Sequence, residues 1–377
     1  MPNFYKASFN CSSEISPVVG VLSDEANIKR FVGKPLVLIN TYGHNIPGVR
    51  GVILTKELSF VRDDVVACCV DENFPFSVGD IVRLDIKRKR VIRLYHNGSN
   101  SNAIFLTERC NSNCLMCPQP PQNDKETALV EHLEFIKCLP NDIEELGITG
   151  GEPTLCRSEF LKVLQALKQF NCHIHVLSNA RLLNDLHYVK EIAEIGLTNL
   201  TFGIPLYAAT PTLHDYIVQS EGAFDQTFKG IYNLTMYGIP VEIRTVINKQ
   251  TYLHLEDLAD FIYFNLPFTY HCAFMGMEHM GYVKKNWEKL WINPLDYQDQ
   301  LFKAIRYLHL RGMNTSIYNL PLCLLDKRLR PFARKSISDY KEAFSAICDS
   351  CSVKENCSGL FQSQVSCMPI HALSIVQ

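Results

Sequence analysis

The stretch Ile104-Phe-Leu-Thr-Glu-Arg-Cys110-Asn-Ser-Asn-Cys114-Leu-Met-Cys117-Pro-Gln-Pro-Pro121 decides how the rest of the chain is read. Three thiols fall within eight residues, separated by three positions and then by two. The apolar run Ala103 to Leu106 delivers them as a strand end would, and Pro118, Pro120 and Pro121 forbid a helix directly afterwards. Such a loop can turn its three sulfurs towards one point. A cubane iron–sulfur cluster on three thiolates keeps one iron without a protein ligand, and an outside molecule can supply it. The plainer alternatives are a zinc knuckle or three unrelated buried thiols. Structural zinc prefers four ligands, commonly in C-x2-C pairs, and no fourth lies nearby.

Working outward from Asn102, the texture alternates between strand and helix. The apolar spacing predicts helices over 126–139, 158–168 (Ser158 as cap), 185–195, 224–237, 254–265 and 294–311. Strands are expected over 144–149, 173–178, 200–206, 241–247, 268–274 and 314–318. One βα unit about every 30 residues implies a parallel sheet with right-handed crossovers. Six units predict an α/β fold, a partial (β/α)6 TIM-like barrel over 103–318, with active groups at the carboxyl ends of the strands.

Several strand ends carry chemistry. Gly150-Gly151-Glu152-Pro153 offers glycines that let a ligand approach the backbone and a carboxylate that can accept from an ammonium group. Ser178-Asn179-Ala180 ends the next strand, where a simple cap or Asx turn is the plain reading; Tyr207 follows the one after. Alternation puts Glu242 and Arg244 on one face of their strand, where they would need partners. The Met- and Gly-rich loop Met277 to Tyr282 is placed for substrate contact, and Glu278 or His279 could assist proton transfer.

On the amino-terminal side, short β-branched runs at 35–40, 51–55, 65–70, 80–86 and 91–95 are separated by turns such as Tyr42-Gly43 and Pro47-Gly48. They predict a small β-rich domain over 1–100, a barrel or sandwich. Lys87 to Arg90 reads as the solvated turn between two strands. Asn97 to Asn102 is a polar linker, and the boundary is expected there. Residues 319–377 form a Cys-rich carboxyl-terminal extension with Cys323, a basic stretch Lys327 to Phe344 expected to be helical, then Cys348, Cys351 and Cys357.

The composition limits the partners. Lysine plus arginine, 37, nearly balances aspartate plus glutamate, 39, so nothing global recruits nucleic acid. No run approaches the roughly 20 apolar residues of a membrane helix, and no signal peptide is read. A cytoplasmic location is the expectation. There, the two dense groups at 110–117 and 348–357, which hold six of the fifteen cysteines, are better read as metal ligands than as crosslinks.

The C-x3-C-x2-C loop followed by Gly150-Gly151-Glu152 on the next strand resembles the radical S-adenosylmethionine (SAM) superfamily. The resemblance implies that Cys110, Cys114 and Cys117 hold a [4Fe–4S] cluster whose fourth iron is chelated by SAM. It further implies that Gly150, Gly151 and Glu152 hold the SAM amino group, that Ser178 and Asn179 lie around SAM, and that Arg244 pairs with its carboxylate. An internal Glu242–Arg244 network is the equal alternative for the last. The residue before the third cysteine is usually aromatic in this family; here it is Met116, whose thioether would pack on adenine.

The C-x2-C-x5-C spacing at 348–357 resembles the auxiliary-cluster (SPASM or twitch) region of radical SAM peptide-modifying enzymes. It implies one auxiliary cluster on Cys323, Cys348, Cys351 and Cys357, with Cys367 as a spare ligand; zinc on the same thiolates is the alternative. The full pattern has a further cysteine where this chain has Phe361. Residues 106–121, 274–281 and the run from Leu320 through Arg330-Pro-Phe-Ala-Arg to Asp339 also resemble the C-type maturase of the His-Xaa-Ser system. That implies a ribosomally made peptide or protein as substrate, an electron donor such as flavodoxin or ferredoxin, and a companion maturase. Two other readings are a radical SAM enzyme of small-molecule cofactor biosynthesis and a non-catalytic zinc-binding protein.

Overall fold

The computed structural model describes residues 4–9, 17–40, 46–55, 65–71, 73–122, 129–366, 368–371 and 373. The turn expected at Tyr42-Gly43, the start of the helix expected from Glu126, and the spare ligand Cys367 lie outside the described residues.

The contacts divide the chain into two compact units, one of residues 1–106, 126–147 and 161–172, the other of 107–125, 148–160 and 173–377. The first unit is built on an eight-stranded sheet. Its strands are β1 Phe4–Lys6, β2 Ser8–Phe9, β3 Val18–Ser23, β4 Leu36–Ile39, β5 Val49–Leu54, β6 Val66–Cys69, β7 Ile81–Asp85 and β8 Arg90–Tyr95. They run in the order β1-β8-β7-β3-β4-β5-β6-β2. Residues 4–9 pair with β8 at one edge and β6 at the other, so one short segment closes the sheet on itself. Leu22, Val37, Ile53, Cys68, Val82, Leu84 and Val91 fill the interior. Lys87–Arg90 is the turn of the β7–β8 hairpin, wrapped on the buried Asp85, which accepts from the Arg88 amide and the Arg83 and Arg90 side chains.

Helix α1, Leu129–Cys138, belongs to this unit instead of following the boundary expected near residue 100. The cause is polar as well as apolar. Arg83 and Arg50 of the sheet pair with Glu131 and Glu134 of the helix, and the Lys34 ammonium donates to the Leu139 carbonyl at the helix end.

Strands β9 Ala103–Phe105, β10 Glu145–Thr149, β11 His173–Leu177, β12 Leu200–Pro205, β13 Val241–Val246, β14 His271–Met275 and β15 Thr315–Tyr318 form a seven-stranded sheet in chain order, with β9 and β15 at its edges. The pairs from β11 to β15 are all parallel. The helices between them are α2 Arg157–Leu167, α3 Leu186–Glu194, α4 Pro211–Val218, α5 Ala223–Met236, α6 Leu255–Asn265, α7 Tyr282–Lys285, α8 Trp287–Leu290 and α9 Gln298–His309. A parallel α/β sheet in sequential order with open edges is a partial barrel. Its core includes Phe160 of α2 and Phe202 of β12, both fully buried with ring centroids 6.5 Å apart.

The structure differs from the sequence expectation at four places. Ser158 is not a cap but the second residue of α2; the neighbouring helix α3 does have a cap, Asp185, whose carboxylate accepts from the His187 amide. The strand expected from Phe268 begins at His271, because a turn through Thr269 precedes it. Helices α4, α7 and α8 are short and carry too little apolar repeat to stand out. The stretch Lys327 to Phe344 is not an α-helix; it holds one 3-10 turn, Arg330–Phe332. Pro331 lies in the first turn of that short element, and the arginines are spent locally: Arg330 donates to the Leu322 and Leu325 carbonyls, Arg328 pairs with Asp326 and Asp299. The carboxyl-terminal stretch ends in the two-residue pair β16 Glu342–Ala343 and β17 Leu360–Phe361.

Cutting Phe202 to alanine would leave a cavity against Phe160, and such truncations cost about 3–5 kcal/mol. The expected outcome for Phe202→Ala is a clear fall in the denaturant midpoint; a loss below ~1 kcal/mol would show that this contact does not carry the sheet–helix packing.

Candidate active site

The cysteine loop begins at Cys110, shortly after β9 ends at Phe105, and its backbone is met by segments far away in sequence. The Asn113 and Leu115 amides donate to the Val218 and Ile217 carbonyls at the end of α4. The Cys117 carbonyl accepts from the Tyr282 amide at 2.9 Å, and the Leu115 carbonyl from Asn286 Nδ2 at 2.9 Å. Gly281 makes this possible: it is left-handed (φ 55°), and a Cβ there would stand 2.3 Å from the Cys117 carbonyl oxygen. Between these pins, Leu115 and Met116 turn inward with Tyr207 and Met277.

The glycines of Gly150-Gly151-Glu152 serve backbone against backbone. The Gly151 amide donates to the Thr107 carbonyl and the Glu152 amide to the Arg109 carbonyl, each at 2.7 Å. A Cβ on Gly150 would lie 2.5 Å from Thr107 O, and one on Gly151 2.2 Å from Arg109 O. The sequence reading reserved this space for a ligand; the chain's own segment Thr107–Arg109 occupies it, which draws the cysteine loop against Glu152.

Glu152 is 1% exposed. Its Oε1 accepts from the Ser178 hydroxyl at 2.8 Å, the Thr154 hydroxyl at 2.5 Å and the Thr154 amide at 3.0 Å; its Oε2 accepts from the Asn179 amide at 2.6 Å. Burial pushes this carboxyl above the usual range, and the four donors pull the other way. Asn179 is the bridge. Its backbone serves Glu152, while its side-chain Nδ2 donates to Asn111 Oδ1 at 2.7 Å and stands 3.9 Å from Cys110 Sγ. Helix α5 holds that turn: Thr227 Oγ1 donates to the Asn179 carbonyl at 2.9 Å, and the absent side chain of Gly230 leaves room for the Ala180 carbonyl. Arg181 completes it by donating to the Asn111 carbonyl and, at 3.1 Å, to the Ser112 hydroxyl.

The three thiols act on one another. Burial raises Cys110 to about 11, with the charges of Glu152 and Cys117 adding to it; burial raises Cys114 to about 12, reinforced by Cys117 and Cys110; burial raises Cys117 as well. Mutual repulsion of this kind is relieved when iron replaces the thiol protons, so the donor set fits a multi-iron cluster held by three thiolates. Among the described residues, no three His, Cys, Asp or Glu side chains stand at the spacing that chelates a single metal ion.

Other candidates fall elsewhere. Met116 is buried beneath the loop, in the apolar cluster with Tyr207 and Met277. Arg244 Nη1 donates to Glu242 Oε1 at 2.6 Å; Glu242 Oε2 meets His271 Nδ1 at 2.8 Å and accepts from the Tyr318 hydroxyl at 3.3 Å. This is the internal network that the strand alternation allowed. Glu278 pairs with Lys341 at 2.9 Å, and His279 lies on the Trp287 ring. Cys323, Cys348, Cys351 and Cys357 line one cavity of about 360 Å³, its open side included. Sequence reasoning missed Arg181, Thr154 and Gly281. The Gly281 signal was present, a glycine directly before a tyrosine in a Met-rich loop, but its partner Cys117 is far away in the chain.

A parallel α/β sheet thus places three thiols and a buried, donor-ringed carboxylate at adjacent strand ends. The Radical SAM superfamily model matches residues 104–262, and the match supports a radical SAM assignment for this segment. An uncharacterized protein of Methanocaldococcus jannaschii is 27% identical over 173 residues, 44% of this chain and 59% of that protein. A probable GTP 3′,8-cyclase of Saccharolobus islandicus is 30% identical over 164 residues, covering 42% and 50%. An Fe-coproporphyrin III synthase of Methanosarcina barkeri is 28% identical over 163 residues, covering 42% and 39%. The chain spans about half the length of the curated relatives it matches. Among solved structures, Streptococcus suis SuiB bound to S-adenosylmethionine aligns with a TM-score of 0.48 at 19% identity, covering 57% of this chain and 49% of that one. No helix among the described residues is long and apolar enough to cross a membrane.

Two substitutions probe this geometry. Glu152→Ala leaves the Ser178, Thr154 and Asn179 donors buried without an acceptor, at about 1–3 kcal/mol, and is expected to lower the unfolding midpoint. For Glu242, burial opposes ionisation, but the His271 hydrogen bond and the Arg244 charge outweigh it and hold the carboxyl at about 2. A depressed carboxylate stabilises the fold above its ordinary value near 4.5, and that stability is lost as pH falls towards 2. Glu242→Gln should therefore flatten the stability profile between pH 4.5 and 2; an unchanged acid limb would count against the network.

Proposed function

We propose that this chain is a radical SAM enzyme that modifies a ribosomally made peptide or protein by hydrogen abstraction. The observation that carries the reading is the Asn179 bridge, which ties the Cys110 loop to the buried Glu152 and so sets three thiols beside a carboxylate and two polar strand ends. Such a cluster, when bound, supplies one electron to the SAM sulfonium, giving methionine and a 5′-deoxyadenosyl radical that takes a hydrogen atom from the substrate.

The chain's residues do the rest. Cys110, Cys114 and Cys117 are the ligands. Glu152, Ser178 and Asn179 form the polar wall that receives the amino-acid end of SAM, with Gly150 and Gly151 fixing its distance from the loop. Arg244, held by Glu242, is a cation for the SAM carboxylate. Met116, Tyr207 and Met277 make an apolar floor that excludes water from the radical. A low-potential carrier such as flavodoxin or ferredoxin delivers the electron.

A peptide substrate is favoured by the second group of thiols, Cys323, Cys348, Cys351 and Cys357, which share one cavity and fit an auxiliary iron–sulfur cluster. The His-Xaa-Ser resemblance names the substrate type. The second reading, a small-molecule radical SAM enzyme, is favoured by the sequence match to a probable GTP 3′,8-cyclase and an Fe-coproporphyrin III synthase.

The test is anaerobic reconstitution with iron and sulfide, followed by measurement of 5′-deoxyadenosine under a strong reductant. Replacing Cys110, Cys114 and Cys117 with alanine is expected to abolish it; full activity in that variant would falsify the assignment. A His-Xaa-Ser peptide should change the rate of SAM cleavage and gain a mass shift, whereas turnover that responds only to small molecules selects the second reading.

A further inference from the structure

The four-thiol cavity is closed by a part of the chain that no cysteine spacing marks. Ile370 and His371 line it together with Cys323, Cys348, Cys351 and Cys357. The Leu373 amide donates to Cys351 Sγ at 3.5 Å, and the Leu322 amide to Cys357 Sγ at 3.4 Å. The segment is tied down on both sides. The Leu373 carbonyl accepts from the Ser352 amide at 3.0 Å and from the Ser352 hydroxyl at 2.9 Å, while Ile370 packs on Leu324, Leu360 and Met368.

Amide N–H groups aimed at sulfur are contacts that a metal-bound sulfur accepts. They also stabilise a bound metal group and set the potential of an iron–sulfur cluster. Leu322, Phe344, Val353 and Leu360 give the cavity apolar walls, and Lys354, which also lines it, donates to Asp349 at 2.7 Å.

We propose that the stretch carrying Ile370, His371 and Leu373 is a strap that completes the four-thiol site, donating amides to its sulfurs and shielding the bound metal from solvent. This rests on the reading of Cys323, Cys348, Cys351 and Cys357 as metal ligands. The strap retains the metal; the cysteines alone define where it binds.

The experiment uses the full chain with Cys110, Cys114 and Cys117 changed to alanine, so that only the second site is counted. It is loaded anaerobically with iron and sulfide, or with zinc alone. Metal and acid-labile sulfide per chain are measured, then the rate of metal release to a chelator. Leu373→Pro removes the amide that reaches Cys351. Ser352→Ala loosens the strap at an exposed position where folding is not at stake. Loss of a hydrogen bond to a metal-ligating group costs roughly 10- to 100-fold in metal affinity, and both variants are expected to release metal faster by up to that factor, Leu373→Pro more than Ser352→Ala. Release at the parent rate from both variants overturns the strap while leaving the metal site standing. A parent that takes up no metal overturns the four-thiol reading and the strap with it.

Discussion

A carboxylate removed from water has to be met by donors, and Glu152 is the place where this chain accepts that constraint. Its two oxygens take hydrogen bonds from the Ser178 hydroxyl, the Asn179 amide and both donors of Thr154, which join the ends of β10 and β11 through one side chain. Once that junction is made, the next residues have little freedom. Ala180 is held in the left-handed region, φ 58°, a conformation an alanine adopts only where its surroundings demand it. Helix α5 meets the demand through Thr227 and Gly230.

The cysteine loop is the second consequence. It has no regular structure of its own, so its amides and carbonyls need partners, and they find them at residues 217, 218, 282 and 286. The short helices α4 and α7 are therefore not incidental connectors. They hold the loop's backbone while Asn179 and Arg181 hold Asn111 from the other side. Pinning the backbone keeps the three thiols together, ready for a positively charged cluster to replace their protons.

Much of this was readable along the chain, and the exceptions have physical causes. The strands β10 to β15 and the longer helices follow the apolar periodicity closely, because each buries one face against the same sheet. Ser158 misled because a serine at a helix start is a cap only when its backbone lies outside the helix, and here it is already inside. Lys327 to Phe344 misled because charged residues with good helix propensity are captured instead by nearby carbonyls and carboxylates. Gly150 and Gly151 were rightly seen as a close approach, yet the approaching group is Thr107 to Arg109.

The order and spacing of Cys110, Cys114, Cys117 and Glu152, and the alternation of strand and helix around them, were determined by the sequence alone, since both depend on near neighbours. What the thiols face was decided by the tertiary structure. Asn179 reaches Asn111 and Tyr282 reaches Cys117 because parallel strands bring their following loops to a common edge, and Leu373 reaches Cys351 through the folding of the carboxyl-terminal extension on itself. Contacts of that kind depend on packing between distant segments, which no local pattern encodes.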